Sequence, residues 1–571
     1  MSYETFQKMK KIALFLILVC CAAHMKAQFT INGHAVPFDS QTNTWLATIP
    51  ESLFGQTNQL TLSLNEGWKQ ITIDNEPIDN QYTFSHITAE SIFQVTVTDN
   101  NEQSVTGTLQ FTFLPIFQLN GEFGYEYQNG TVKIVIPDQE ADDVYDANIK
   151  WRGGTTNASD KHKRNYNIKF TQDVKLFDMR NDNNWMLDAG QPDVFRLRNR
   201  IAMDIWNDMA RKPYYADLEP KVLNGVRGRI VEVFLNNEYR GIYNLSEKID
   251  RKQLKLKKAD KNTSEVHGVL YKGVSWDYTV MNDSIFEYDN HSETLYGFEV
   301  KYPELDDNDS TDWKPLIDVI HKNLILSYDD LEFENQIEEW VDIPVMIDYS
   351  IFLSTVNALD NSSKNMYWAI YDKAITKKLT LTPWDLDCTF GQRWGGKLVG
   401  GENDHSSPKY PADVLNAIFY NFYRTNAHHF NEQLNERYEE LRQPGNVFST
   451  ESLISRFTYY YNMLKNSGAA QRESAKWSKD TDVWGDVIDF DAEYEYICNW
   501  IREHMEFLDD RKFPVLYNDE YFNQPSTIMY LVNSSSSTNQ QIHTLSGQRI
   551  THISSLKPGF YIINNKKVIV K

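Results

Sequence analysis

The sequence predicts an α+β chain: a strand-rich region over residues 121–320, a mainly helical one over 321–515, and a β module at either end. Three patterns carry that reading. Before residue 118, short runs such as QLTLSL, KQITI, FQVTVTD and TLQFTFL alternate apolar and polar residues, with Asn-Glu-Gly and Asp-Asn-Asn between them. Period-two alternation broken by turn residues marks half-buried strands. From Trp313 onward, WKPLIDVIHKNLI, IEEWVDIPVMIDYSIFLSTVNAL, DVLNAIFYNFY, LISRFTYYYNMLKN and EYICNWIREHMEFLDDR repeat apolar residues every three or four positions, as helices with a buried face do. The C-terminal run then returns to short strand-like pieces, QIHTLSGQRI and SSLKPGFYIINNKKVIVK.

In chain order, residues 1–27 read as a secretory signal. Lys8, Lys10 and Lys11 precede the apolar run IALFLILVCCAA, and small residues follow near Ala27. The run is too short for a spanning helix, and cleavage is expected before Gln28. Met9 offers a second start. A lipoprotein signal at Cys20 or Cys21 fits less well, because Leu18 and Val19 put no small residue before the first of them. The signal holds two of the four cysteines; Cys388 and Cys498 alone are no disulfide framework. A net charge of −22 argues against a nucleic-acid partner held through its phosphates. Residues 28–118 have the strand pattern of a β-sandwich-like module. They hold no cluster of titratable residues and read as a spacer or docking module.

Beyond residue 119, ANIKWRG and NYNIKF are strands flanking a Gly/Ser/Lys-rich loop, with Arg152 and Lys169 on the strands, where a lysine is usually a solvated face. Backbone N–H groups of such a loop can cradle phosphate. It has only Gly153-Gly154, however, and is no Walker A motif. Ile201, Ile205, Trp206 and Met209 predict a helix over Val194–Ala210 capped by Asp193. RGRIVEVFLNNEYRGIYNLSEKID predicts a hairpin turning at Asn236-Asn237 and ending near Glu247. GVLYKGVSWD and GFEVKYPE add strands bearing Lys272 and Lys301.

The richest chemistry lies between Asn357 and Gly391. Asp360 and Asn365 stand five apart with Lys364 between them. Two strand-like runs that predict a hairpin, MYWAIYD and KLTLTPW, separate them from Asp385 and Asp387. Phosphoryl transfer needs a carboxylate near the acceptor hydroxyl and an Asn and an Asp to hold Mg²⁺ against nucleotide phosphates. The plainer reading of NALDNSSKN is a helix end and turn, since Asn, Asp and Ser are turn residues. Lys364 reads equally as a solvated loop residue or as a cation neutralising transferred charge. The thirteen histidines show no zinc-ligand spacing, and His428-His429 sit in a helical run, facing solvent.

These pieces, in order, resemble the CotH family, the spore-coat-protein-H-like atypical secreted protein kinases. The matching stretches are WRGGTTNASDKHKRNYNIKF, EYRGIYNLSEKID, GVLYKG, KYPE, NALDNSSKN and PWDLDCTFG, from about Ala147 to Gly391. The resemblance implies a divergent two-lobed protein-kinase-like domain over residues 119–515, with a strand-rich N-lobe and a helical C-lobe. It implies transfer of the ATP γ-phosphate to Ser or Thr of exported proteins with Mg²⁺ or Mn²⁺. By position, Asp360 becomes the catalytic base, and Asn365 with Asp385 or Asp387 the metal ligands. Arg152 and Lys169 become phosphate contacts, Lys364 a further one, and Glu247 takes a hinge or Lys-pairing role. The chain departs from ordinary kinases in lacking H-R-D, contiguous D-F-G and a repeated-Gly loop. A catalytically silent surface protein or adhesin on the same fold is the alternative. A glycan-active enzyme is weaker, as no carboxylate pair can be placed at glycosidase separation.

After a linker at 516–540, residues 541–571 resemble the C-terminal sorting domain of Bacteroidetes type IX secretion, through Leu545, Gly547, Gln548, Leu556, Pro558, Gly559 and Tyr561. That resemblance implies a secretion machinery as partner and delivery to the cell surface or beyond.

Overall fold

The computed structural model describes residues 27–514, apart from 155, 157–160, 261–262, 264, 276–286, 306–308, 393–405, 411–416 and 479–486, and the backbone of four strands within 542–570. The expected signal, the linker, most of the Gly153–Lys161 loop, and Leu545, Gly547, Gln548, Leu556 and Pro558 of the sorting pattern lie outside the described residues. The chain divides into two units, Met1–Val515 and Leu516–Lys571.

The alternating residues of the first segment form a four-stranded and a six-stranded sheet. Leu60 and Leu62 from one sheet and Ile71, Val95, Val97 and Leu109 from the other bury into one core with Trp45 and Phe84. The chain then enters a closed seven-stranded barrel at Ile116. Its strands are Ile116–Asn120 (β1), Gln128–Val135 (β2), Asp143–Arg152 (β3), Asn165–Lys175 (β4), Asn181–Asp188 (β5), Gly228–Leu235 (β6) and Glu238–Ser246 (β7), in the spatial order β1-β2-β3-β4-β5-β7-β6. All neighbours are antiparallel except β1 and β6, whose parallel pairing (Ile116 opposite Glu232) closes the ring. Inward residues Phe117, Ile134, Ile149, Ile168, Leu187, Val233 and Leu245 fill it. The β6–β7 turn is as expected: Asn236 and Asn237 adopt φ of 49° and 62°, which a two-residue type I′ hairpin requires and Asn tolerates.

A five-stranded sheet follows, from Val269–Gly273 (β8), Thr294–Leu295 (β9), Phe298–Tyr302 (β10), Met366–Ile370 (β11) and Thr380–Pro383 (β12), in the order β9-β10-β8-β11-β12. The expected hairpin β11–β12 is present, and it completes a sheet begun about a hundred residues earlier. The helices are Arg198–Met209 (α1), Lys314–Leu326 (α2), Asp330–Gln336 (α3), Ile343–Val356 (α4), Ala417–Thr425 (α5), Phe430–Arg442 (α6), Thr450–Asn466 (α7), Ala469–Trp477 (α8) and Phe490–Asp509 (α9). Every residue of α4 except Pro344 is buried, so it is the helix behind the site rather than a surface helix.

Three expectations need correction. Helix α1 starts at Arg198, not Val194, and its N-cap is Leu197. Asp193 instead ties down the turn before it, accepting from the N–H of Phe195 (2.9 Å) and of Arg198 (2.8 Å), while Arg196 sits at φ 67°. The run from Ile337 is not one helix: a 3-10 turn ends at Glu339, and Pro344 in the first turn of α4 marks a fresh start, the position where a missing N–H costs nothing. His428 and His429 are not helical but left-handed, at φ 55° and 56°, between α5 and α6. Among the described residues no helix is long and apolar enough to cross a membrane. The terminal unit pairs as Arg549–Ile550, Ile542–Thr544, Gly559–Ile563 and Lys566–Val570 in that order, one strand more than the three expected.

Candidate active site

The site begins where α4 stops. Asn357 takes φ 54°, ψ 52°, a left-handed cap that Asn accommodates. The chain then makes the 3-10 turn Leu359–Asn361 carrying Asp360. Asn361 joins the two acidic loops. Its side-chain amide donates to the carbonyls of Trp384 (2.6 Å) and Asn365 (3.2 Å), and the Trp384 N–H donates to the Asn365 carbonyl (3.0 Å). The hairpin register sets Met366 opposite Pro383, so residues 360–365 and 384–387 emerge at the same end. Asn365 and Asp385 both hold positive φ, 56° and 58°. Non-glycine residues in that region carry strain that concentrates at functional sites.

Asp360 is 7% exposed. One carboxylate oxygen, Oδ2, accepts from Asn365 Nδ2 at 2.9 Å and faces Lys364 Nζ at 3.5 Å. The other, Oδ1, is buried with no hydrogen-bond partner. Burial pushes the Asp360 carboxyl up to about 7; Lys364 pulls it down, and the charge of Asp385 pushes it up further. Asp387 retains some surface yet lies deep among protein atoms. Burial raises it well above the usual carboxylate range, and Asp385, Asp360, Asp188 and Asp193 add to the effect.

Asp188, at the end of barrel strand β5, completes the cleft. It accepts from Asn199 Nδ2 (2.7 Å), and Asn199 Oδ1 in turn accepts from the N–H of Leu386 (3.0 Å). One residue of α1 thus clips the second acidic loop to the barrel. Burial raises the Asp188 carboxyl against the pull of the Gly190 N–H, Arg152 and Asn199. Arg152 lines the same cleft with its guanidinium 5.7 Å from the Trp384 ring. Burial lowers Lys272, opposed by Asp385 and Glu299.

The donor set fits a divalent cation. Crowded carboxylates in a poorly solvated cleft repel one another, and Asp360 Oδ1 lacks a partner that a buried oxygen ordinarily has. Among the described residues no three His, Cys, Asp or Glu side chains already converge as ligands.

The structure brings Asp360, Lys364, Asn365, Asp385, Asp387 and Arg152 into one neighbourhood. It does not bring Lys169 there. Ile168 and Phe170 fill the barrel, so alternation turns Lys169 out to solvent. Nor does Glu247 pair with a lysine. Fully buried, it accepts from the N–H groups of Arg180 and Arg227 and from the Arg227 guanidinium (2.8 Å each), and so ties the segments before β5 and β6 to the end of β7. Asp188 and Asn199 are site residues that sequence reasoning missed; neither LDAG nor RLRNR carries a motif that marks them. Also missed was Lys163, wholly buried with its ammonium 2.7 Å from Glu473 of α8, which Arg196 shares at 2.7 Å. Burial drives Lys163 down to about 7 despite that partner. Cys388 and Cys498 are free, buried thiols.

Inner spore coat protein H of Bacillus subtilis (strain 168) is 24% identical over 368 residues, 64% of this chain and 87% of that protein. The CotH kinase protein family matches residues 149–508, a span that contains Arg152, Asp188 and both acidic loops and supports a kinase-like fold. On that match the chain belongs to the CotH kinase protein family.

Proposed function

We propose that the chain is an exported protein kinase that moves the γ-phosphate of ATP to Ser or Thr hydroxyls of secreted or surface proteins. What supports the reading above all is the pairing of Asp360, whose Oδ1 has no partner, with the carboxylates of the Trp384–Asp387 loop across a hairpin. In this reading Asp360 accepts the hydroxyl proton as the acceptor oxygen attacks. Asn365 holds the Asp360 carboxylate in place through its amide. Arg152 and Lys364 face the transferred negative charge. Asp385 and Asp387 would hold Mg²⁺ or Mn²⁺, with Asn365 and with Asp188 close by; the ion's part is to neutralise phosphate charge and fix its geometry.

Export rests on the signal-like N-terminus and on the sorting-type pattern of the C-terminal sheet. A spore-coat relative supports an extracellular setting. The test is incubation with γ-labelled ATP, Mn²⁺ and a secreted-protein extract, for the native chain and for Asp360→Asn and Asp385→Asn. Labelling should fall by about 10²–10⁴-fold in Asp360→Asn, the usual worth of a positioned base. Equal labelling by all three, or none by the native chain, would favour the catalytically silent surface protein.

A further inference from the structure

A groove of about 960 Å³ lies at the opposite end of β5 from the acidic cleft. Asn181 and Asp182 open the strand at the groove and Asp188 closes it at the cleft. Six residues of strand at ~3.3 Å each set Asp182 about 20 Å from Asp188 along β5, and the two linings come closer at Val226 and Arg227. Nine Lys and Arg and three acidic residues line the groove, on a chain of net charge −22. Much of that charge comes from RKQLKLKK, residues 251–258, in which Gln253, Leu254 and Leu256 are buried and the basic residues lie outward.

A run of surface lysines is ordinarily a solvated face, and this one differs in two ways. It is concave, and its cations are only partly neutralised. Asp182 faces Arg180 (3.3 Å) and Lys252 (3.1 Å), and Glu219 faces Lys257 (3.7 Å). Arg180 and Arg227 are committed to Asp250 and Glu247. Lys175, Lys221, Lys255 and Lys258 are exposed and, among the described residues, have no carboxylate partner. Like charges so gathered repel and weaken the fold unless an anion offsets them.

We propose that this groove docks an acidic segment of the protein substrate. The chemistry favours carboxylates on a peptide. Two of the three arginine forks that could read phosphate bidentately are taken by carboxylates, and Arg251 spends one nitrogen on the Leu256 carbonyl (3.1 Å) and lies over the Tyr302 ring, leaving mainly lysines, point charges on flexible stems. A long polyanion would run past the groove onto a chain of net charge −22, whereas a short acidic segment stays within it. The substrate role rests on the phosphotransferase reading; binding in the groove does not.

The test titrates fluorescent decaglutamate into the full chain without nucleotide or divalent cation. A combined Lys175→Glu, Lys255→Glu, Lys258→Glu variant, with an unchanged melting temperature, should bind at least about tenfold more weakly, and native binding should weaken as salt is added. Asp360→Asn should bind as the native chain does. With a Ser peptide bearing an acidic tail, the combined variant should raise KM and leave kcat alone. Unchanged peptide binding or unchanged KM in that variant overturns the proposal, as does decathymidylate displacing the peptide at equal charge, which would assign the groove to nucleic acid. If binding is lost in the variant while the native chain phosphorylates nothing, the phosphotransferase reading falls and the groove keeps its acidic ligand.

Discussion

Asp360 is asked to be both buried and charged, and the two demands set its pH behaviour. An unfolded Asp titrates near 3.9; in the fold, burial carries this one to about 7. Between those values the folded chain keeps a proton that the unfolded chain has released. The stability this group contributes therefore falls as pH rises from about 4 to about 7, at up to about 1.4 kcal/mol per pH unit. Asp360→Asn removes that loss. In denaturant titrations without divalent cations, the variant should match the native chain at pH 4 and exceed it at pH 8 by as much as about 4 kcal/mol. Activity runs the other way. A base must be unprotonated, so kcat/KM of the native chain should climb with pH to about 7 and then level; a flat profile from pH 5 to 8 would remove Asp360 from the role. Asp360, Lys364, Asn365, Asp385 and Asp387 were legible because a polar loop, a hairpin and a second acidic loop follow each other in the chain. Asp188 was not, because it reaches the cleft through barrel closure, which no local spacing encodes.

At the scale of elements, barrel and helices are held together by ions that the sequence scatters. Lys163 precedes β4, Arg196 precedes α1 and Glu473 sits in α8, yet all three meet in the interior (both contacts to Glu473 at 2.7 Å). The second oxygen of Glu473 accepts from the Ile242 N–H of β7 at 2.8 Å. This contact explains Gly241, which bulges at φ +91°; a Cβ there would lie 2.0 Å from Glu473 Oε2. Removing one member leaves buried charge uncompensated. Glu473→Ala should cost about 3–5 kcal/mol by chemical denaturation, and Gly241→Ala should lower the same midpoint by forcing the carboxylate aside. Glu473→Ala paired with Lys163→Met should recover part of the loss, since the orphaned ammonium is then gone. Most strands and helices were readable from periodicity. The barrel and the order β9-β10-β8-β11-β12 were not, because they rest on pairings between distant strands. Lys169 shows the same gap in reverse: a strand lysine usually faces solvent, the resemblance made it a phosphate contact, and the direction of its neighbours turns it outward.

For the molecule as a whole, the question is whether the N-terminal sheets are a tethered spacer or a structural part of the barrel. Leu46 of the sheets buries against Ile116, Val135, Phe234 and Tyr239 of the barrel. Around that patch Asp142 of the barrel accepts from His34 Nδ1 and the Ala35 N–H, both at 2.8 Å. Deeper in, Glu232 of β6 is fully buried, bound by two guanidinium nitrogens of Arg472 at 2.9 Å each and by the Tyr239 hydroxyl at 2.5 Å. The Arg472 guanidinium also donates to the Phe111 carbonyl of the sheets (3.4 Å), so one arginine of α8 touches module, barrel and helices. A hinge-linked spacer would not place a buried ion pair at its border. Deleting residues 28–112 strips the apolar cover from Ile116 and Phe234 and admits water to the Glu232–Arg472 pair. The truncated chain should then melt lower, by less than the about 2–4 °C per kcal/mol that holds for bodies of 150–250 residues, and aggregate sooner. Arg472→Ala in the full chain leaves Glu232 buried beside Tyr239 alone and should cost about 3–5 kcal/mol. Equal melting temperatures for native and truncated chains would show that the sheets ride on the barrel without supporting it. A single calorimetric transition in the native chain that splits in two with Arg472→Ala would show that this arginine couples them.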